Sequence, residues 1–106
     1  MPLESSLVSQ ILRTLNALPG CYAYKNHGGP MVTAGLPDIV CVHRGRTVFL
    51  EVKLPGRKPT PIQIHRIAQL RAAGAAAEVV HSVEEALKVT TIRPIIVCLP
   101  LCAAKT

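Results

Sequence analysis

Aromatic rings are scarce in this chain: two tyrosines, one phenylalanine and no tryptophan among 106 residues. So few rings argue against a surface that reads nucleic acid by base stacking. Acids are scarce too, with six Asp and Glu against twelve Lys and Arg and a net charge of +6. That imbalance excludes a cationic partner and suits a polyanion. The four cysteines (Cys21, Cys41, Cys98, Cys102) form neither a CxxC pair nor a zinc-finger spacing, which excludes the usual structural zinc modules. Cys21 and Cys41 fall in expected strands, where a thiol acts as a small apolar group. The one long apolar run, residues 94–104, is broken by Pro94 and Pro100 and is too short to span a bilayer. With no basic amphipathic helix either, a membrane partner is not expected. Residues 1–18 carry Glu4 early and read as an amphipathic helix instead of a signal peptide. The expected location is the cytoplasm, with reduced thiols.

What is present reads as one small domain. Leu7, Val8, Ile11, Leu12, Leu15 and Leu18 form one stripe at helical spacing, ended by Pro19-Gly20. Residues 21–25 read as a short strand, and Asn26-His27-Gly28-Gly29-Pro30 as a loop. Strands are expected over residues 38–42 and 47–53, then a basic loop carrying Arg57 and Lys58. Thr60, Pro61 and Gln63 make a capping-box start for a helix that Gly74 stops. Residues 77–81 read as another strand, and Ser82 with Glu85 as a second capping box. The expected order is αβββαβα.

The acids that remain are oddly placed. Asp38 opens an apolar run, and Glu51 and Lys53 close an alternating one. Between them His43-Arg44-Gly45-Arg46 is a turn, with glycine where a positive φ is wanted. Whether its loop has two residues or four, Val42 faces Thr47, Val40 faces Phe49 and Asp38 faces Glu51. Two carboxylates opposed on an antiparallel pair lie roughly 5 Å apart and repel. A hard divalent cation between them, Mg²⁺ or Mn²⁺, makes such a pair tenable. Lys53, two residues on, projects from the same face. The alternative is an ion-pair network in which Lys53 and Arg46 neutralise both acids. Glu4 has two readings, a first-turn glutamate favoured by the helix dipole or a carboxylate directed at Asp38 and Glu51. Gln63 is either the capping partner of Thr60 or an amide that reaches the active edge.

Pro37-Asp38 followed by Glu51-Val52-Lys53 resembles the signature of the PD-(D/E)XK nucleases. Gly35-Leu36-Pro37-Asp38, Glu51-Val52-Lys53 and Pro61-Ile62-Gln63 together resemble its VRR-NUC branch, over about residues 4–89. The resemblance implies an α/β, restriction-endonuclease-like core, a mixed sheet flanked by helices, within residues 1–91. Residues 92–106 would be an apolar tail, serving as an edge strand or a dimer contact. It implies that Asp38, Glu51, Lys53 and Gln63 are catalytic. Glu4, Asp38, Glu51 and the carbonyl of Val52 would hold Mg²⁺ or Mn²⁺. Lys25, Asn26, Thr33, Arg57 and Lys58 would touch the nucleic acid. The implied activity is metal-dependent cleavage of branched DNA, such as a four-way (Holliday) junction, by a homodimer. A non-catalytic DNA-binding module on the same fold, or a nuclease for flaps or single strands, is the alternative.

Overall fold

The computed structural model describes residues 3–28 and 33–92. The expectations for residues 29–32 and for the tail, with Cys98 and Cys102, lie outside the described residues. Helix α1 (Glu4–Asn16) is followed by β1 (Cys21–Lys25), β2 (Ile39–His43) and β3 (Arg46–Val52). Helix α2 (Pro61–Ala72), strand β4 (Ala76–Val80) and helix α3 (Val83–Thr91) complete the order. The sheet runs β1-β2-β3-β4, antiparallel in its first two pairings and parallel between β3 and β4. A mixed sheet flanked by helices is the expected class, and α2 supplies the crossover that a parallel pair requires.

One face of the sheet carries the main core. Ala23, Ile39, Cys41, Val48, Leu50, Val52 and Val80 pack there with Val8, Ile11 and Leu15 of α1 and Ala86 of α3. The helical stripe and the strand alternation read from the sequence therefore meet in one apolar layer. Each of the large side chains buried there contributes roughly 2 kcal/mol. Helix α2 lies on the opposite face, against β4, where Ile67 and Ala77 are buried apart from that core. Among the described residues no helix covers the opposite face over β1 and β2.

Local chemistry explains the joints. The β2–β3 turn has a two-residue loop, since His43 pairs with Arg46. Arg44 and Gly45 both take positive φ, 51° and 83°, the mirror-type turn whose twist suits a hairpin. Asn16, the last residue of α1, clamps β1 by donating to the Ala23 carbonyl at 2.9 Å and accepting its N–H at 2.8 Å. Thr60 caps α2 with the full capping box: its hydroxyl accepts from Gln63 N–H, and the Gln63 side chain accepts from Thr60 N–H at 2.8 Å. The second box forms only in half. Ser82 Oγ accepts from Glu85 N–H, but the Glu85 carboxylate reaches past Ser82 to the His81 N–H. The extended backbone of Ser82 puts the preceding amide within the carboxylate's reach.

The thiols of Cys21 and Cys41 sit 3.3 Å apart on the core face. Burial pushes the Cys41 thiol up to about 12, so it stays protonated and inert at neutral pH.

Candidate active site

Four segments build the site. The ladder between β2 and β3 closes at Ile39 and Leu50, and one step further Asp38 stands opposite Glu51. Asp38 Oδ2 accepts the Val52 N–H at 2.8 Å, which ties the end of β2 to β3 and orients the carboxylate. The Asp38 carbonyl accepts from Asn26 N–H at 2.7 Å, and the Asn26 amide donates to the Pro37 carbonyl. Asp38 is therefore held from both neighbouring strands.

Glu51 is 1% exposed, and its Oε1 is buried without a hydrogen-bond partner among the described residues. Its Oε2 lies 3.8 Å from the Lys53 ammonium. Burial, and then the negative charge of Asp38, raise the Glu51 carboxyl to about 8; Lys53 opposes this and Glu4 adds to it. A buried carboxylate that lacks a partner costs stability unless a cation compensates it. Two opposed carboxylates with a free oxygen lone pair in a dry position match what a hard oxygen-seeking cation requires. The residues present fit Mg²⁺ or Mn²⁺.

Arg46 is not part of this group. Its guanidinium donates to the carbonyls of Val89 and Thr90, both at 3.2 Å, at the end of α3. The ion-pair alternative thus loses one of its two cations, because alternation along β3 puts Arg46 on the other face from Glu51. Glu4 lies close enough to act on Glu51 electrostatically. Among the described residues no three His, Cys, Asp or Glu converge on one point; Asp38 and Glu51 are the opposed pair, and Glu4 acts on it from the first turn of α1.

The approach to Asp38 is shaped by α2. Gly35 has φ 81°, and a β-carbon there would stand 2.8 Å from the Ile62 side chain and 3.0 Å from its carbonyl oxygen. Arg66 holds the same segment by donating to the Ala34 carbonyl at 2.9 Å. A Gly35→Ala protein is expected to lose about 1–3 kcal/mol. It should also lose activity beyond that, because the displaced segment carries Asp38. Thermal melts and cleavage rates on the same preparation check both.

Asn26 and Thr33 line a cleft of about 230 Å³ with Gly28, Gly35, Leu36 and Asp38. Lys25 stands exposed at the end of β1, paired with Ile39 and so on the other side of the sheet from Asp38, and Arg57 and Lys58 are exposed on the loop after β3. Gln63 is half-buried at the start of α2, and its Oε1 is committed to Thr60. Any part it takes in chemistry falls to its Nε2. Loss of the cap alone predicts that Gln63→Ala costs about 1 kcal/mol, readable as a drop of a few degrees in Tm.

One feature of the site's surroundings escaped the sequence reading. All three aromatic residues, Tyr22, Tyr24 and Phe49, lie on the sheet face that carries Asp38 and Glu51. Tyr22 and Tyr24 are among the most exposed large side chains of the described residues. The signal was their i, i+2 spacing within one strand.

No family model matches the chain. The chain is 36% identical over 73 residues to "Putative nuclease p44" of Acyrthosiphon pisum secondary endosymbiont phage 1, across 68% of this chain and 71% of that one. It is similar to a solved "VRR_NUC domain" with 28% identity and a TM-score of 0.69, over 81% of this chain and 91% of that one. A second solved "VRR_NUC domain protein" shares the fold at 19% identity and TM-score 0.66, over 83% and 84% of the two chains. The Archaeoglobus fulgidus Holliday junction resolvase Hjc shares it at 21% and 0.59, over 74% and 67%. An αβββαβα domain with this acidic pair and lysine at the sheet's edge is a nuclease core of the PD-(D/E)XK class. Within that class, the chain belongs to the VRR-NUC family. None of its described helices is long and apolar enough to cross a membrane.

Proposed function

We propose that this domain is a metal-dependent, structure-selective DNA endonuclease acting on branched DNA, with a four-way junction as the leading substrate. The observation that carries the reading is Glu51: buried, short of one partner, opposite Asp38 and beside Lys53. Asp38, Glu51 and the Val52 carbonyl would hold Mg²⁺ or Mn²⁺. Bound there, the ion supplies Lewis-acid polarisation of the phosphate and a more acidic water. Lys53 places its Nζ 3.8 Å from Glu51 Oε2. Its ammonium orients the attacking water and stabilises negative charge that develops on the phosphorus oxygens. Gln63 Nε2 and the Asn26–Thr33 cleft position the strand, and Arg57 and Lys58 meet flanking phosphates. Each such contact strengthens binding through counterion release.

A domain of this size presents one active site, so paired incision across a junction calls for a two-fold dimer. The decisive experiment is nicking of a supercoiled plasmid with Mg²⁺ or Mn²⁺, followed by a panel of junction, flap, duplex and single-stranded substrates. Binding without any nicking would convert the reading to that of a non-catalytic module. Sedimentation at micromolar concentration tests the dimer: a chain that runs as a monomer with and without junction DNA rules it out.

A further inference from the structure

We propose that Tyr22 and Tyr24 form a stacking platform for unpaired nucleotides of the substrate, next to the cut. The proposal rests on the nuclease reading above and narrows its substrate class. Three cross-strand rows share one sheet face. Asn26, Asp38 and Glu51 make the catalytic row, continued from the ladder by the Asn26 N–H to Asp38 carbonyl bond. Tyr24, Val40 and Phe49 make the next, and Tyr22, Val42 and Thr47 the one beyond. Successive rows lie about 7 Å apart along the strands. A strand whose phosphate sits at Asp38 and Glu51 therefore reaches both tyrosines within a short run of nucleotides.

Among the described residues the face is open, because α1 and α3 occupy the other side and α2 sits over β4. Tyr22 is 68% exposed, Tyr24 48% and Val42 38%. The two phenol rings are 6.1 Å apart and tilted by 45°, so neither is spent on a parallel stack with the other. Every base has a π face, so such rings bind nucleotides without demanding a sequence. The bases must be unpaired to stack, which favours flaps, gaps and branch points over continuous duplex.

A second copy of the chain fits the face less well. A tyrosine offers about 150–250 Å² in all, so at these exposures the pair presents about 230 Å². A stable dimer needs about 500 Å² from each partner. Nucleic acid, by contrast, is attracted to the chain's net charge of +6.

The chain has no tryptophan and only these two tyrosines, so the tyrosine emission of the full-length protein comes from this face alone. A single-stranded oligonucleotide titrated in EDTA, where metal-dependent cutting stops, is expected to quench that emission saturably. A blunt duplex of equal length should quench it far less. The Tyr22→Leu/Tyr24→Leu protein, checked for folding by circular dichroism, should bind the single strand at least about tenfold more weakly by anisotropy. It should also lose the wild type's preference for flapped over continuous duplex. Wild-type emission unchanged by saturating single strand overturns the platform, with no variant involved. So does a double variant that turns a wild-type dimer into a monomer, because the face is then a subunit interface. Quenching by a protein that cuts nothing removes the nuclease reading and leaves the platform. Cutting without quenching does the reverse.

Discussion

Glu51→Gln is expected to lower phosphodiester cleavage by at least about a hundredfold in saturating Mg²⁺, with DNA binding largely retained. The substitution keeps the size of the side chain but removes a charge from the dry end of the site, where nothing else among the described residues takes its place. Loss of one group that stabilises a transition state typically costs this much. Lys53→Ala and Asp38→Ala are expected to fall at least as far. Asp38→Ala also strands the Val52 N–H, which now donates to the Asp38 carboxylate at 2.8 Å. If the three residues act as one unit, the double variant Glu51→Gln/Lys53→Ala should be little worse than either single one. Cleavage within a few-fold of wild type by Glu51→Gln would sink the assignment of the site.

The same substitution should make the metal-free protein more stable, which no loss of ordinary packing would do. In the folded state the Glu51 carboxyl is raised from 4.5 to about 8 by burial and by Asp38, with Glu4 adding and Lys53 opposing. The folded protein thus binds a proton at Glu51 more tightly than the unfolded chain does. Between those two values the folded state holds more protons, so stability falls as pH rises. Below about pH 4.5 the group costs nothing, and above about pH 8 its full cost is present. That cost is on the order of 4 kcal/mol. A buried amide in its place also lacks a partner, which returns about 2 kcal/mol. The net gain for Glu51→Gln in EDTA is therefore about 2 kcal/mol, roughly 10 °C in Tm near pH 8. The gain should shrink as pH falls and reverse to a loss of about 2 kcal/mol near pH 4.5. Mg²⁺ or Mn²⁺ should raise the wild-type Tm through linkage and leave the variant nearly unmoved. Melting curves of the wild type that ignore millimolar metal at pH 8 would count against a carboxylate cage.

The order of elements and the partners of Asp38 were readable because they rest on local rules. Alternation put Asp38, Val40 and Val42 on one face, and the turn at Arg44-Gly45 fixed the hairpin register whichever loop length it took. The spacing of Val8, Ile11 and Leu15 showed which side of α1 would be buried, and Thr60 with Gln63 marked the start of α2. Other features depend on residues far apart in the chain. Arg46 could be counted among the site's cations until its bonds to Val89 and Thr90 placed it on the far side of the sheet. The grip of α2 on Gly35 needs a helix 26 residues later in the chain to arrive within contact distance. Aromatic scarcity read from composition also gave no sign that the three rings gather on one face once β1, β2 and β3 align. Composition counts side chains, and only the pairing of strands decides which of them stand together. The pattern along the sequence by itself determined the fold class and the opposed acids, since both follow from periodicity within neighbouring segments. The burial that raises the Glu51 carboxyl, and the open face beside it, were decided only by how the helices cover the sheet.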